Sequence, residues 1–446
     1  MKPRHFAALL FGLTLLIGGA GTDHPSDSHT VAPMQPDMGC TVMYATDGNL
    51  ALGGNNEDYG IPTTKAWFIP AEKGQYGRVY FGYENYIWQG GMNDQGLFFD
   101  AMAVNKPVAV PREAKSIYQG TLADKAMAEC ATVDCVLALF EQYHERDTWY
   151  HQFLFGDASG SSVIIEPLAV LRNDGGYQVG TNFYQSTTPK EQQTCPRFRV
   201  ATRMLEDAST LSVDLMRQVM SATHLEGESQ TLYTNVYDLT NRFVYLYYFH
   251  DYDNVVVLDL EKELAKGRRA VDLPTLFPQN AAAESWAAPI LSGVEQARAN
   301  KATVGLAPSI LEEYVGRYDI PDEMRASYPY PFFGVMLDDD TLYLQVKTDK
   351  AWYPLTPEAD DAFFHLSVGN DFSVAFERSE SGTVETIEFD AEPGPVARGD
   401  LLGWFNMGST VIVLLPKDAN RWRDDLGPGQ TLRMGEAIGQ LTRRGE

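Results

Sequence analysis

The sequence predicts an α+β fold built around a large antiparallel sheet, followed by a second half that consists mainly of strands. Strand-like runs alternate with two-helix stretches across residues 40–265, and an Ala-rich, Pro-spaced stretch covers 266–306. Short alternating strands follow from Leu311 onward. The 446 residues, of which 44% are hydrophobic and 12% aromatic, suffice for two or three domains with sizeable cores.

The N-terminus has the pattern of a secretory signal. A basic stretch, Met1–His5, precedes an apolar run from Phe6 to Ile17 and the small residues Gly18–Gly21. The apolar run is too short for a permanent membrane anchor, and no cysteine follows that could carry a lipid. We therefore expect a signal peptide over residues 1–21 and a secreted or periplasmic protein. The formal charge of -25 argues against nucleic acid and anionic membrane surfaces as partners.

A cysteine that could become a new N-terminus follows the polar stretch 22–39. Cys40 opens a strand-like run, and a turn at Asp47-Gly48 leads into a second strand that reaches Asp58. A cysteine freed at its amino side carries its own base, because its α-amine, with an ordinary pKa of about 8, can take the thiol proton. The hairpin returns Asp58 toward Cys40, where its carboxylate can orient that amine. The alternative is an inert buried cysteine on an edge strand.

The segment Cys40-Thr41 together with Gly54-Asn55-Asn56-Glu57-Asp58 resembles the N-terminal-nucleophile (Ntn) amide hydrolases. This group includes the choloylglycine hydrolases, the penicillin V acylases and the acyl-CoA:6-aminopenicillanate acyltransferases. The resemblance implies a four-layer αββα sandwich over residues 40–265, removal of propeptide 22–39 by self-cleavage, and a linear amide as substrate without a cofactor. Asn55 stands where bile-salt hydrolases carry an arginine, which argues against a guanidinium-stabilised thiolate and against a bile-salt substrate.

The same resemblance implies an oxyanion hole made from two further segments. Gly90–Leu97 forms a turn into the strand Phe98–Val104, whose counterpart in the family supplies a backbone N–H; here the donor would be Val104. Asn182, in the run Val179–Phe183, would place its side-chain amide over the scissile carbonyl. The alternative for Asn182 is a turn cap.

An active-site arginine of the family matches Arg197 best, with Arg199 as a near competitor, just before a helix predicted over Val200–Glu206. An arginine at a helix start is otherwise usually solvated. A hairpin is predicted over Phe153–Glu166. Three strands, Thr231–Leu239, Phe243–Phe249 and Val255–Leu260, close the predicted catalytic domain.

The four cysteines are too few for a disulfide scaffold. Cys130 and Cys135 lie at a predicted junction between helices Leu122–Ala131 and Thr132–Tyr143, where they either pair or are two small buried residues; we favour the second alternative. Cys195 has no obvious partner. The eight histidines are scattered without metal-binding spacing, so the sequence predicts no metal.

Two further regions follow the predicted linker 266–306, which holds at most one helix, Glu284–Ala299. Residues 307–392 resemble the small lipocalin-like β-domain found behind secreted hydrolases, with an accessory role. Residues 393–446 resemble the C-terminal end of phosphatidylserine decarboxylase, a family that cleaves its chain before a serine and converts it into a pyruvoyl group. That serine would be Ser409. Because the family's large subunit finds no match, we interpret this short β-rich tail as a structural remnant or fusion.

The sequence therefore predicts a secreted, self-processing cysteine amidohydrolase or acyltransferase that acts on a small-molecule amide, with no integral membrane segment after signal cleavage. A pyruvoyl-dependent decarboxylase using Ser409, or a non-catalytic protein that binds a small ligand, are the alternatives. The oligomeric state, and the choice between water and an amine as acyl acceptor, stay open.

Overall fold

A computed structural model describes most of the chain between residues 39 and 390. The described segments are 39–83, 88–111, 115–118, 120–145, 148–173, 176–227, 229–319, 332–338, 340–347, 351–368, 370–390, 420–422 and 439–441. The chain divides into two units, one spanning Gln35–Phe389 and the other joining Met1–Met34 to Asp390–Glu446. The predicted signal peptide, nearly all of the propeptide, and Ser409 lie outside the described residues.

Strands dominate the described segments. In chain order they are β1 (Thr41–Thr46), β2 (Ala51–Tyr59), β3 (Thr64–Ile69), β4 (Arg78–Tyr83), β5 (Trp88–Asn93), β6 (Phe98–Ala109), β7 (Ser116–Ile117), β8 (Tyr143–His144), β9 (Thr148–Gly156), β10 (Ser162–Glu166), β11 (Ala169–Arg172), β12 (Tyr177–Gly180), β13 (Gln230–Asp238), β14 (Phe243–Tyr248), β15 (Asp251–Asp259), β16 (Arg269–Asp272), β17 (Gly316–Asp319), β18 (Phe332–Asp338), β19 (Thr341–Lys347), β20 (Ala351–Ala359), β21 (Ala362–Ser367), β22 (Asn370–Arg378), β23 (Val384–Asp390), β24 (Asn420–Trp422) and β25 (Gly439–Leu441).

Four of the seven described helices, α2, α4, α5 and α6, begin after a residue whose side chain caps them. The side chains of Thr132 and Ser212 accept hydrogen bonds from backbone N–H groups one turn into α2 and α4, which satisfies donors that a helix start otherwise leaves unpaired. The helices are α1 (Leu122–Glu129), α2 (Val133–Gln142), α3 (Pro196–Glu206), α4 (Val213–Ala222), α5 (Leu260–Ala265), α6 (Ala281–Ala299) and α7 (Pro308–Leu311), with 3₁₀ turns at Lys190–Gln192, Leu273–Leu276 and Glu312–Tyr314.

Two antiparallel sheets form the centre of the first half. The first has the order β12-β1-β2-β13-β14-β15 and the second the order β11-β10-β9-β6-β5-β4-β3-β16. One hydrophobic cluster contains residues of both sheets, such as Val42 and Tyr44 from the first and Phe81 and Phe98 from the second. The sheets pack closely at Gly53, where an added Cβ would lie 2.8 Å from the Phe98 ring. Arg269–Asp272, within the stretch predicted as linker, is the edge strand of the second sheet.

Helices cover the outer face of each sheet. Buried side chains of α3 and α4, such as Leu205 and Met216, pack with Met43 and Val236 of the first sheet. Those of α1 and α2 pack with the aromatic outer face of the second sheet. The order helices, sheet, sheet, helices confirms the predicted four-layer αββα sandwich.

The predicted junction between α1 and α2 is closed by a disulfide. Cys130 and Cys135 are bonded, with their Cα atoms 5.5 Å apart, within the range that a disulfide spans. The favoured sequence interpretation, two unpaired buried residues, is therefore wrong. Sequence alone could not decide, because it does not fix how tightly the chain turns at Thr132.

The second half forms one barrel-like sheet in which seven strands, β17 to β23, follow each other in sequence order. Its core includes Tyr314, Phe333, Leu344, Phe363 and Phe376. This up-and-down meander agrees with the predicted lipocalin-like β-domain. In the other unit, the described residues form a two-stranded ladder of β24 and β25. Within the described segments, no helix combines the length and the apolar character needed to cross a bilayer.

Candidate active site

Cys40 lies immediately before β1, in the interior of the sandwich. The β1–β2 register pairs Thr41 with Asn56, so Cys40 stands beside Glu57 on the next pair of positions. Its thiol donates a hydrogen bond to Oε2 of Glu57 at 3.3 Å, and only 7% of the residue is exposed. Burial raises the pKa of the Cys40 thiol well above its usual range, and the negative charges of Glu57, Asp58 and Asp100 raise it further. In the uncleaved chain the thiol is therefore held protonated.

Asp58 lies next to Glu57 on β2 and is also buried. Its Oδ1 atom accepts a hydrogen bond from the Thr231 hydroxyl. Its Oδ2 atom has no hydrogen-bond partner among the described residues and lies 3.6 Å from Nη1 of Arg197. Burial raises the pKa of Asp58 to about 7, although the Arg197 charge opposes this shift. An acceptor atom is thus available beside the start of β1.

Arg197 is the second residue of α3, and its guanidinium reaches the main chain around Cys40. Nη1 donates to the carbonyl oxygens of Gly39 and Cys40, the latter at 2.8 Å, and to the Thr41 hydroxyl at 3.0 Å. The residue is buried. Arg199 lies elsewhere, because its Nε atom donates to the carbonyl of Gln193. Of the two arginines considered from the sequence, Arg197 is therefore the one at Cys40.

Asn182 completes this side of the site. Its Oδ1 atom accepts a hydrogen bond from Nη2 of Arg197 at 3.0 Å, and its Nδ2 atom donates to the Ala103 carbonyl at 2.8 Å. A Cβ on Gly39 would lie 2.0 Å from Nδ2 of Asn182, so the glycine allows the chain before Cys40 to pass over this side chain. Gly39 also has φ +139°, a backbone conformation that favours glycine.

Val104, predicted as a backbone donor, follows Ala103 on β6. It lies where the pairing of β6 with β9 shifts register, between Ala103 and Val108. The fold thus brings the backbone of β6 next to Asn182. The Gly90–Leu97 motif itself has a structural role: Asn93 accepts from the backbone of Gln95 and Leu97 and donates to carbonyls near the end of α1.

Asn55 is buried between two side chains. Its Nδ2 atom donates to Oε1 of Glu57 at 3.0 Å, and its Oδ1 atom accepts from Asn235 at 3.2 Å. The Asn55 amide therefore donates to the same carboxylate that accepts the hydrogen bond of the Cys40 thiol.

Two acidic residues at the site were not expected from the sequence. Glu57 accepts hydrogen bonds from Cys40, Asn55 and Tyr83, and it lies within hydrogen-bond reach of Asp100 of β6, whose two carboxyl oxygens accept from no donor among the described residues. Two carboxyl groups form a hydrogen bond only if one is protonated. Burial raises the pKa of Glu57 to about 7, and burial together with the Glu57 charge raises that of Asp100 well above its usual range. We therefore assign the shared proton to Asp100.

A signal for this pair was present in the sequence. Glu57 directly precedes Asp58, so the alternation of β2 points the two carboxyl groups to opposite faces of the sheet. Asp100 is the acidic residue within the apolar run that begins at Phe98. Gly90 makes room for it, because a Cβ there would lie 2.0 Å from Oδ2 of Asp100.

Comparison with solved structures finds Ntn amide hydrolases. A penicillin V acylase from Agrobacterium tumefaciens is 16% identical, with a TM-score of 0.41, and the similarity covers 52% of this chain and 90% of that one. A variant of the conjugated bile acid hydrolase from Clostridium perfringens is 18% identical, with a TM-score of 0.42, covering 52% and 96%. Because these values are low, the architecture assigned above rests on the layers of this chain itself.

The C-terminal segment is similar to a different group. The family model of phosphatidylserine decarboxylase matches residues 366–440. The proenzyme from Halorhodospira halophila is 45% identical over 65 residues, which is 14% of this chain and 22% of that protein. The proenzyme from Azotobacter vinelandii is 54% identical over 50 residues, or 11% and 18%. The chain spans about a fifth of the length of these curated relatives.

Proposed function

We propose that the chain is a self-processing cysteine hydrolase or acyltransferase that cleaves a linear amide through an acyl-enzyme on Cys40. The observation that carries the proposal is the bond from the buried Arg197 guanidinium to the carbonyl of Gly39, the group that precedes the thiol. A cation fixed on that oxygen stabilises the negative charge that develops when the carbonyl is attacked, and donors of this kind make large contributions to catalysis.

The first reaction is cleavage of the Gly39–Cys40 peptide bond. Glu57 takes the thiol proton, Sγ bonds to the Gly39 carbonyl carbon, and Arg197 holds the oxyanion. The carbon–nitrogen bond then breaks, and the Cys40 nitrogen takes up a proton and leaves as a new α-amine. Water hydrolyses the resulting thioester, which releases the segment ending at Gly39 and frees the thiol.

Glu57 is needed at this first step because the α-amine does not yet exist. Its Oε2 atom accepts the thiol hydrogen bond in the uncleaved chain. Asn55 donates a hydrogen bond to the Glu57 carboxylate, and the proton assigned to Asp100 supplies a second one, so the carboxylate is held facing Cys40. A general base with a pKa of about 7 is well matched to proton transfer near neutral pH.

Turnover of an external amide then uses the new α-amine as the base. Asp58 orients it through Oδ2, the buried atom that has no partner among the described residues of the uncleaved chain. Asn182 donates to the substrate oxyanion with the Nδ2 hydrogen that does not bond Ala103, since an amide nitrogen carries two. The backbone N–H of Val104 is the proposed second donor. The acyl group passes to water or to an amine.

The remaining expectations from the sequence belong to the same proposal. The N-terminal pattern supports a signal peptide over residues 1–21 and a secreted or periplasmic location. The β-domain covers a face of the catalytic domain or shapes the substrate entrance. No cofactor is required by the chemistry proposed for Cys40, and the expected partner is a small-molecule amide.

A second candidate function is favoured by the match of residues 366–440 to phosphatidylserine decarboxylase. In this alternative the chain cleaves before Ser409, which becomes a pyruvoyl group. It ranks below the amide hydrolase because the match spans only about a fifth of the relatives' length, and no partner histidine and aspartate of the large subunit are recognised in the sequence.

One experiment separates the two functions. The full chain and its Cys40→Ala variant are purified, and their masses and N-terminal sequences are determined together with a carbonyl assay for a pyruvoyl group. We expect a wild-type chain that begins at Cys40, lacks a pyruvoyl group and cleaves members of a panel of N-acyl amides, and an uncleaved, inactive variant. A wild-type protein that is fully active with residues 22–39 attached would overturn the proposed mechanism, and a pyruvoyl group from Ser409 would favour the decarboxylase.

A further inference from the structure

A second polar cluster lies at the edge of the first sheet. Three side chains, His224, Glu226 and His250, bring one ligand atom each within 4.8 Å of one another. His224 and Glu226 follow α4, and His250 lies in the turn between β14 and β15. We propose that these residues bind one Zn²⁺ ion or a similar divalent transition ion, with water in the remaining coordination position.

The hydrogen bonds of His224 leave its Nε2 atom as the nitrogen that can bind a metal. Its Nδ1 atom lies 2.6 Å from the Ser221 carbonyl, so Nδ1 carries the hydrogen. In the neutral ring Nε2 then presents a lone pair, yet it faces a carboxylate oxygen of Glu226 at 3.0 Å. Two such acceptors repel each other unless a cation lies between them, either a proton on His224 or a metal ion. Histidine ligands usually have this second bond to a carbonyl.

His250 also presents its Nε2 atom. Its ring lies beside the backbone of Leu225. Its Nε2 atom is buried and has no hydrogen-bond partner among the described residues, so this nitrogen is available to a ligand. Both rings therefore offer Nε2 to the same space, and Glu226 supplies an anionic oxygen. Two histidines, one glutamate and a water form a known ligand set for zinc.

The backbone holds His250 in this position by an unusual turn. Phe249 and His250 both have positive φ angles, +46° and +65°, in the two-residue connection between β14 and β15. Hairpin turns of this kind favour Asn and Gly, because other residues are strained there. The turn places the His250 ring 4.9 Å from that of His224, measured between centroids.

The spacing needs only small adjustments. A tetrahedral zinc site with bonds of about 2.1 Å separates its ligand atoms by roughly 3.4 Å. His224 and Glu226 are already within this range, and the most distant pair in the cluster closes by little more than about one ångström through side-chain rotation. Sequence spacing did not suggest the site, because His224 and His250 are 26 positions apart and meet only in the folded sheet.

The proposed ion adjoins the segment that supports Asp58. Leu225, between two of the ligands, exchanges two hydrogen bonds with Thr231, at 2.8 and 2.9 Å. Thr231 in turn donates to Oδ1 of Asp58. A bound ion would therefore fix the loop that holds the Asp58 carboxylate, which gives the site a positioning role without contact to substrate.

The test measures zinc binding directly. Tag-free, full-length Cys40→Ala protein is stripped with a chelator and titrated with ZnCl₂ by calorimetry, and its melting temperature is followed in parallel. We expect one ion per chain and a melting temperature that rises with zinc concentration. The absence of Cys40 removes one competing thiol and makes the result independent of the proposed nucleophile.

Variants assign the bound ion to these residues. Glu226→Gln changes an exposed side chain, and His250→Asn keeps a residue type that tolerates positive φ; each should weaken binding by roughly ten-fold or more. The control Glu261→Gln, on an exposed position of α5, should leave binding unchanged. Cobalt in place of zinc should show the visible bands of a four-coordinate nitrogen and oxygen site without a thiolate band. Absence of zinc uptake by the Cys40→Ala protein, or equal uptake by this protein and by both variants made in it, would overturn the proposal.

Discussion

The two faces of the β1–β2 hairpin carry carboxyl groups in contrasting environments. On the face toward the second sheet, Glu57 contacts the Cys40 thiol and a second carboxyl group, that of Asp100. On the face toward α3, Asp58 lies beside the Arg197 guanidinium and a threonine hydroxyl. Burial raises the pKa of both Glu57 and Asp58 to about 7, but only Asp58 has a cation that opposes the shift.

This contrast teaches how one hairpin can serve two reactions. A carboxylate that already accepts the thiol hydrogen bond can act before the α-amine exists, and this is the position of Glu57. A carboxylate with a buried, unpaired oxygen near the start of β1 can act once the amine has been released, and this is the position of Asp58. The predictions below separate the two carboxyl groups, from the largest expected effect to the smallest.

Removal of the thiol should abolish both reactions. Cys40→Ala leaves both carboxyl groups in place but no nucleophile, so self-cleavage and amide turnover should each fall by roughly 10⁴-fold or more. Intact mass measures self-cleavage, and an amide hydrolysis assay measures turnover. Cys195→Ala, which removes the other free cysteine, is the matched control and should be processed normally. Processing of the Cys40→Ala chain at the same bond would show that another group performs the attack.

Replacement of Arg197 by lysine should slow self-cleavage. Arg197→Lys retains a positive charge but loses the planar fork that contacts the carbonyls and Asn182, so the rate of self-cleavage should fall roughly 10³-fold. Arg199→Lys, on the same helix, is the control and should cleave like the wild type. The rate is followed by the appearance of the Cys40 N-terminus. Equal rates in the two variants would remove Arg197 from the mechanism.

Exchange of Glu57 and of Asp58 should give opposite patterns. Glu57→Gln should slow self-cleavage roughly 10²-fold, because the acceptor of the thiol proton is lost. If a specific protease site replaces the residues before Cys40, the chain can be opened externally, and this variant should then regain amide hydrolysis. Asp58→Asn should cleave itself more readily than Glu57→Gln but turn over external amides slowly.

The same pair of variants tests the division of roles. Self-cleavage of the wild type should accelerate as pH rises through about 7, because Glu57 accepts a proton only in its ionised form. This rise of the self-cleavage rate with pH should be absent in Glu57→Gln and present in Asp58→Asn. Two variants that lose both reactions in parallel would show that the carboxyl groups act as one unit.

The local part of this site could be predicted from the sequence, and the part that joins distant strands could not. The hairpin and Asp58 follow from the motif that begins at Cys40, whereas Asn182 and Arg197 were predicted through the family resemblance. The sequence shows Glu57 and Asp100 as acidic residues within strand-like runs, but their meeting depends on how β2 faces β6 across the two sheets, which no local pattern encodes.

The same limit applies to the rest of the fold. Alternation predicted the strands, and the helix predicted from Thr132 begins within one residue of α2, because these features depend on neighbouring residues. The disulfide between Cys130 and Cys135 and the meeting of His224 with His250 depend on the path of the chain between elements. Sequence patterns predicted neither contact.

The smallest expected effect is on stability. The folded pKa of Glu57, about 7, exceeds its ordinary value of 4.5, so the folded state binds a proton more tightly than the unfolded state. Such a group stabilises the fold below its unfolded pKa, and this contribution is lost as pH rises from about 4.5 to about 7. For Glu57 the loss is at most ~3 kcal/mol.

The melting temperature of the uncleavable Cys40→Ala protein should therefore fall by several degrees between pH 5 and pH 8. Adding Glu57→Gln should reduce the slope, whereas adding Glu261→Gln, an exposed change, should not. A melting temperature that rises over this range, or an unchanged slope with Glu57→Gln, would show that burial does not raise the folded pKa of Glu57.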